Sequence, residues 1–202
     1  MQIKPTINKK SGLLSNARQH PSPNFDNRPN ENDINLIIIH NISLPPGKFG
    51  ENWIDKLFTN QLPKDDHPFF AQIYKLRVSS HLLIRRDGEI VQYVPFHKRA
   101  WHAGISCFQG RKVCNDFSIG IELEGTDEQA FTNIQYIQLK IIIQQLYLQY
   151  PSLKKGNITG HQHIAPERKT DPGPFFDWQR LSTDLNENLP ANASLTIDCS
   201  KD

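Results

Sequence analysis

The chain has 202 residues, of which 37% are hydrophobic and 22% charged, a balance typical of one globular domain with a sizeable core. Its apolar runs are all shorter than the roughly 18 residues of a membrane-spanning helix, so we expect no membrane partner. The formal net charge of +2 is small and the basic residues are scattered, which argues against a nucleic-acid partner.

The first 33 residues are polar and are broken by Pro21, Pro23 and Pro29. Prolines at this density break helices and strands. We therefore predict a loosely structured lead-in over residues 1–33, which can wrap the domain that follows.

The amino-terminal residues and the cysteines bear on the compartment of the protein. Residues 1–15 carry lysines but lack the apolar segment and the cleavage pattern of a secretory signal, so a cytoplasmic location is expected. The chain has three cysteines without metal-ligand spacing, Cys107, Cys114 and Cys199. This odd set fits a reducing compartment, and we expect free thiols.

The first buried strand is predicted over residues 35–40. Its run of leucine and isoleucine is continuous, as in a strand covered on both faces, and His40 stands at its carboxyl end. From residue 41 to residue 70 the chain is rich in proline and glycine around a short apolar patch. This composition predicts a long connection and a candidate lid.

Two further strand regions follow. A hairpin is predicted over residues 80–94, because Asp87-Gly88 separates two strand-like runs. A strand is predicted over residues 118–124, where isoleucine and leucine alternate with glycine and glutamate. On this pattern Glu122 is either a functional carboxylate or a solvated residue of an edge strand.

A long helix is predicted between residues 133 and 150. Its apolar residues recur with the spacing of one helix face, Thr132 is suited to the N-cap, and Pro151 follows the end.

Beyond this helix, a short strand at 157–159 leads to His161 and then to a loop rich in proline. A final helix is predicted from near Asp177. The tail of residues 183–202 is polar enough to fray.

Three side chains of zinc-ligand type lie at separate points of the chain. His40 ends a predicted strand, His161 follows another, and Asp171 lies in the proline-rich loop. Three protein ligands that leave a fourth position open are typical of catalytic zinc sites, whereas structural sites usually have four, often with cysteine. Because the chain has eight histidines, spacing alone leaves ordinary surface or packed histidines as the alternative.

Two residues are candidates for catalysis beside such a metal. Glu122 is of the type that takes a proton from a zinc-activated water as general base. Lys169 precedes Asp171 by two residues, so it would reach a developing oxyanion if Asp171 binds the metal. Its alternative is an ordinary solvated lysine.

Six segments between about Pro21 and Trp178 carry a family resemblance. They are residues 40–47 (HNISLPPG), 80–88 (SHLLIRRDG), 99–104 (RAWHAG), 115–125 (NDFSIGIELEG), 160–161 (GH) and 169–174 (KTDPGP). In this order they resemble the bacterial AmpD-type anhydro-N-acetylmuramoyl-L-alanine amidases. The resemblance implies a mixed α and β (α+β) fold, a single domain over residues 34–182 with a central mixed β-sheet flanked by helices.

The resemblance also implies the chemistry. His40, His161 and Asp171 would bind one Zn²⁺ per chain, Glu122 would act on the water, and Lys169 would stabilise the oxyanion. The implied reaction is hydrolysis of the amide bond between N-acetylmuramic acid, preferably its 1,6-anhydro form, and L-alanine in muropeptides. Such an enzyme serves cell-wall peptidoglycan recycling and lowers the pool of muropeptides that signal wall damage.

Five residues are candidates for binding this small-molecule substrate: Asn41, Arg77, Trp101, His102 and Arg168. Trp101 would stack on the sugar unless it is a core aromatic, and His102 would add a polar contact. The two arginines suit the carboxylates of the stem peptide unless they are merely solvated. We expect the protein to be a monomer.

One position departs from the family pattern, since many relatives carry an acidic residue where this chain has His163. In an extended segment His161 and His163 would face the same side, which leaves an ambiguity of register at the metal. His161 is preferred because it directly follows Gly160, as the motif requires.

Rival functions remain at this point. A cell-wall lytic amidase of phage or secreted type would use the same chemistry on intact wall. A peptidoglycan-binding module would recognise the substrate without cutting it, and a structural zinc protein would lack a reaction altogether.

Overall fold

A computed structural model of the chain describes residues 5–153 and 157–186. The strands are β1 (Arg18–Gln19), β2 (Phe25–Asn27), β3 (Leu36–Ile42), β4 (Leu82–Ile84), β5 (Ile90–Gln92), β6 (Lys98–Ala100), β7 (Cys107–Phe108), β8 (Arg111–Lys112), β9 (Ser118–Glu124) and β10 (Ile158–Gly160). The helices are α1 (Trp53–Phe58), α2 (Phe70–Ile73), α3 (Asn133–Gln149), α4 (His161–Ile164) and α5 (Trp178–Leu185), with a 3-10 turn at Cys114–Asp116.

The centre of the fold is a mixed sheet with the strand order β1-β5-β4-β9-β3-β10. β3 runs parallel to β9 and to β10, β9 runs parallel to β4, and β4 and β5 form the predicted antiparallel hairpin. β9 is buried at every residue because it lies between two other strands. The predicted α+β fold with a central mixed sheet flanked by helices is confirmed.

One face of the sheet packs against α3 and α5. Ile37 and Ile39 of β3 point to this face and join a buried cluster with Leu139 and Ile143 of α3. α3 begins with a capping box, in which Thr132 and Gln135 each accept a hydrogen bond from the other's backbone N–H. The predicted helix and its N-cap are confirmed, and so is the final helix, which Asp177 caps.

The opposite face carries two smaller apolar clusters with polar residues between them. Leu36 and Ile38 of β3 belong to one cluster, and Leu83 of β4 belongs to the other. Residues that pair across parallel strands present their side chains on the same face. His40 and Glu122 are such a pair, so both lie on this second face.

The segment from residue 41 to residue 70 is packed rather than open. It contains α1 and ends at the start of α2, and Ile54, Leu57 and Phe58 are buried against Leu83 and its neighbours. The short apolar patch of the sequence is therefore the amphipathic helix α1. A lid motion of this segment stays a prediction.

The amino-terminal residues 5–33 are also packed, which corrects the predicted loose structure of the lead-in. β1 joins the edge of the central sheet and β2 pairs with β6. Leu14 is buried, and the buried Arg28 donates a hydrogen bond to the carbonyl of Ser118. Prolines prevent long elements here, but backbone groups and single side chains still find partners on the domain.

The cysteines differ from the prediction of free thiols. Cys114 is free and buried, whereas Cys107 is disulfide-bonded. Cys199 and most of the tail after residue 183 lie outside the described residues, as does the predicted fraying. Whether a cysteine is bonded depends on the tertiary structure, so sequence spacing did not reveal it. The cysteine set therefore gives no support to a reducing compartment.

Within residues 5–153 and 157–186, no helix combines the length and the apolar character that crossing a membrane requires.

Candidate metal centre and cleft

The candidate site lies where three neighbouring parallel strands end. His40 is near the carboxyl end of β3, Glu122 is its direct partner in β9, and His161 follows β10, whose last residue Gly160 pairs with Ile39. Carboxyl ends of parallel strands meet at one edge of a sheet, where α/β proteins commonly bind ligands. The sheet thus brings together residues that are up to 121 positions apart.

Three ligand-type atoms converge at this edge. Nδ1 of His40 lies 3.0 Å from Nδ1 of His161 and 2.9 Å from Oδ2 of Asp171, and the His161 to Asp171 distance is 3.1 Å. One proton cannot satisfy three such contacts, whereas a shared cation can, and two imidazoles with one carboxylate are a donor set that suits zinc. Among the described residues this trio is the group able to hold a metal ion.

The protonation states favour metal binding. Burial lowers the pKa of His40 to about 4, and neighbouring His161 acts in the same direction. Burial alone would raise the pKa of Asp171, but hydrogen bonds with His161 and His40 outweigh it and hold the pKa below its ordinary value. A neutral His40 and an ionised Asp171 are the forms in which these side chains bind metals.

The loop that carries Asp171 is fixed by its neighbours. The backbone N–H of Gln162 donates to the carbonyl of Asp171 at 2.8 Å. Nδ2 of Asn41 donates to the carbonyl of Pro172 at 3.0 Å and to Oδ1 of Asp127 at 2.6 Å. Asn41, predicted to bind substrate, therefore also ties β3 to the Asp171 loop.

Glu122 is buried, with 7% of its surface exposed, and its Oε2 has no hydrogen-bond partner among the described residues. Burial raises the pKa of its carboxyl well above the usual range, the negative charge of Asp171 adds to this, and Lys169 opposes it. Leaving a buried polar atom unpaired costs free energy, so this arrangement is a sign of function. The alternative of a solvated edge-strand residue is wrong, because β9 is a central strand.

A cleft of about 990 Å³ opens beside Asp171. Its walls come from the segment after β3, the segment after β9 and the loop before Asp171, and they include Asn41, Leu44, Pro46, Leu57, Phe69, Ile73, Thr126, Asp127, Glu128, Gln129, Arg168, Lys169 and Thr170. Half-buried Lys169 thus lies in the cleft wall, two residues before Asp171. The segment after β9 did not emerge from the sequence analysis, although its place after a parallel strand was a usable signal.

The other predicted substrate contacts are dispersed. Arg168 lines the cleft, but its Nη2 donates to the carbonyl of Ala103 at 2.7 Å. Arg77 donates hydrogen bonds to carbonyls of its own loop, and the Trp101 side chain forms a hydrogen bond with Asp26. Neither residue is among those that line the cleft. His102 lies behind the trio, with Nδ1 at 3.0 Å from Nε2 of His40.

The ambiguity between His161 and His163 is resolved by the helix α4. Both residues lie in this helix rather than in an extended segment, so residues two apart point in different directions. His163 packs near Trp178 and contacts Thr159 and Gly160, while His161 belongs to the trio.

Fold and site define a class, a protein with a central mixed sheet and a His-His-Asp metal-capable centre at the sheet's edge. Comparison with known proteins supplies the family. The family described as N-acetylmuramoyl-L-alanine amidase matches residues 30–174. The chain belongs to this family.

Individual relatives sharpen the comparison. The 1,6-anhydro-N-acetylmuramyl-L-alanine amidase AmpD of Escherichia coli is 62% identical over 170 residues, which cover 84% of this chain and 92% of that protein. A crystal structure of a selenomethionine AmpD derivative superposes with a TM-score of 0.84 at 59% identity, covering 87% of this chain and 98% of the other. A complex of the Escherichia coli amidase AmiD with anhydro-N-acetylmuramic acid-L-Ala-D-γ-Glu-L-Lys has 28% identity and a TM-score of 0.54, covering 90% of this chain and 65% of the other.

Proposed function

We propose that this chain is a zinc-dependent amidase that hydrolyses the bond between 1,6-anhydro-N-acetylmuramic acid and L-alanine in soluble muropeptides. The observation that carries the proposal is the convergence of His40, His161 and Asp171 beside the buried Glu122, whose Oε2 has no hydrogen-bond partner in the described part of this amidase-family chain. The preference for the anhydro sugar is supported by the high identity to AmpD, whose name specifies that substrate.

His40, His161 and Asp171 would hold the metal as three protein ligands. Zinc, when bound, supplies Lewis acidity that polarises a carbonyl and makes an attacking water more acidic near neutral pH. The trio supports zinc over calcium or magnesium, because those ions prefer sets made only of oxygen ligands.

Glu122 would move the proton. It takes a proton from the water that attacks the lactyl carbonyl of the muramic acid, and it returns that proton to the departing amine of L-alanine. Its position beside His40 in the sheet supports this role, and so does its Oε2, which has no hydrogen-bond partner within residues 5–153 and 157–186. A cation in the trio would offset the negative charge of Asp171 and so allow Glu122 to ionise.

Lys169 would stabilise the negative charge that develops on the attacked carbonyl oxygen. Its side chain lies in the cleft wall, and its lowering effect on the pKa of Glu122 supports its proximity to the reacting atoms.

Substrate contacts follow from the cleft. Asn41 and Arg168 line it, so we propose that they face the N-acetyl or peptide groups and the stem-peptide carboxylates, respectively. Arg77 and Trp101 would contact substrate only after movement of their loops, and His102 supports the metal centre instead.

The proposed role is peptidoglycan recycling in the cytoplasm by a monomeric enzyme. Size-exclusion chromatography with light scattering tests the monomer, and fractionation of cells that carry the native gene tests the location.

The decisive experiment combines metal analysis with turnover of a purified anhydro-muramoyl tripeptide. We expect one zinc per chain, loss of turnover when a chelator removes it, and recovery when zinc is returned. Equal turnover of the stripped protein would contradict the proposal. Absence of turnover in zinc-loaded protein that still binds the muropeptide would instead indicate a binding module.

A second experiment distinguishes the proposed enzyme from a cell-wall lytic amidase. The same preparation is given soluble anhydro-muropeptides, matched muropeptides with a reducing sugar, and whole sacculi. We expect the highest kcat/KM for the anhydro form and little release from sacculi. Faster hydrolysis of sacculi would favour a lytic amidase.

A further inference from the structure

The segment His102–Ala103 contacts the outer nitrogens of both histidines of the trio. Nδ1 of His102 lies 3.0 Å from Nε2 of His40, and the carbonyl oxygen of Ala103 lies 3.0 Å from Nε2 of His161. The inner Nδ1 atoms of His40 and His161 face Asp171. Two adjacent residues thus contact both imidazoles from the side opposite the candidate metal position.

We infer that His102 and Ala103 are positioning residues that fix the tautomer and the ring orientation of His40 and His161. The inference rests on the proposed zinc site. An imidazole that binds metal through Nδ1 keeps its remaining proton on Nε2, and an outer partner normally accepts that proton. For His161 the partner is a carbonyl oxygen, which always accepts.

For His40 the partner is itself a histidine, so its own tautomer matters. A neutral imidazole has one donor and one acceptor nitrogen. His102 can accept from Nε2–H of His40 only if its proton is on Nε2. That nitrogen lies 3.3 Å from Oγ of Ser118, which serves as its acceptor. The hydrogen-bonded series from His40 through His102 to Ser118 then has one consistent arrangement of protons. In it, each imidazole ring donates a hydrogen bond in the direction away from the metal.

The surroundings hold His102 and Ala103 in this position. Oδ1 of Asn115 accepts the backbone N–H groups of His102 and Ala103 at 3.1 and 2.8 Å. Arg168 donates to the same carbonyl of Ala103 that faces His161. Gly120 leaves room for the His102 ring, because a Cβ there would lie 2.5 Å from it. This packing gives the RAWHAG motif a role behind the metal centre.

The test measures zinc affinity by competition with a fluorescent chelator, using the full chain. His102→Leu keeps a similar volume but removes the acceptor, and we expect a loss in zinc affinity of roughly 10- to 100-fold. His102→Asn keeps an oxygen acceptor near the place of Nδ1 and should recover most of that loss. His163→Leu is the matched control, a nearby histidine outside the trio, and should leave zinc affinity unchanged.

A measurement on the unmodified protein makes the test independent of any folding defect. Nitrogen-15 NMR of the zinc-loaded chain should give the Nε2–H tautomer for His40, His161 and His102. A proton on Nδ1 of His102 would overturn the inference, as would wild-type affinity in His102→Leu or an equal loss in the Leu and Asn variants. A wild-type chain that takes up no zinc would overturn the proposed function itself, which is a distinct result.

Discussion

Glu122 and Glu124 lie two residues apart on β9, and both are buried, at 7% and 2% exposure. Glu124 is fully engaged, because it accepts hydrogen bonds from the backbone N–H groups of Gly50 and Arg86 and pairs with the Arg85 guanidinium. Glu122 has an oxygen without any partner among the described residues. Two glutamates on one strand therefore have different roles. Glu124, a buried carboxylate with hydrogen-bond partners, stabilises the fold, whereas the carboxylate of Glu122 is available for chemistry.

The largest expected effect comes from removing the chemistry of Glu122. Glu122→Gln should lower kcat by about 10²- to 10⁴-fold, because the amide cannot accept the proton of the attacking water. Zinc content should stay at the wild-type value, since Glu122 is outside the trio. Turnover assays and metal analysis on the same sample check this result. Unchanged kcat would remove Glu122 from the mechanism.

Lys169→Met tests whether the Lys169 side chain in the cleft wall stabilises the oxyanion. We expect kcat to fall by about 10²- to 10³-fold, the usual cost of losing one group that stabilises an oxyanion, with a smaller change in KM. Lys169→Arg should retain part of the activity because it keeps the charge. If the Met variant changes KM alone, Lys169 binds the substrate without stabilising the reaction's charge.

Glu124→Gln is the matched counterpart of the Glu122 variant and should act on stability instead. Losing charged hydrogen bonds to Arg85 and Gly50 should lower the free energy of unfolding by roughly 1.5–3 kcal/mol. In the folded protein, kcat should stay close to wild type. Urea denaturation and turnover measured side by side check both statements. A large loss of kcat without loss of stability would contradict the division between the two glutamates.

The pH dependence of stability in metal-free protein extends the comparison. Burial raises the pKa of Glu122 when the chain folds. A carboxyl with a raised folded pKa favours folding below its unfolded pKa of about 4.3, and this contribution is lost as the pH rises toward the folded value. The Tm of Glu122→Gln relative to that of wild type should therefore rise as the pH increases from 4 to 8. We expect about 2–4 °C for each kcal/mol of folding free energy that the wild type loses over this range.

Calorimetry of the two metal-free proteins across this range checks the sign. A Tm difference that does not depend on pH would show that Glu122 is not held neutral by burial.

The smallest expected effects concern the two arginines. Arg168→Ala should raise KM for a tripeptide-bearing substrate, since Arg168 lines the cleft, whereas Arg77→Ala should raise it less, if at all. Steady-state kinetics with substrates that carry or lack the stem-peptide carboxylates compare the two. A larger effect at Arg77 would indicate that its loop moves to the cleft when substrate binds.

The sequence by itself determined the elements whose signal is local. The apolar run of β3, the alternation of β9, the Asp-Gly hairpin and the capped helix α3 are encoded in neighbouring residues, and each is present as predicted. The trio was identifiable as well, because its motifs flank these elements and resemble those of a known family.

Only the tertiary structure decided what surrounds each side chain. Nothing near Glu122 in the sequence distinguishes it from Glu124. The partners of Glu124 come from segments about 40 to 75 residues away. The same holds for His102, which was predicted to face substrate but lies behind His40, and for Cys107, which forms a disulfide. Burial, pairing and proton arrangement depend on contacts between distant segments, and those contacts exist only once the sheet has brought the segments together.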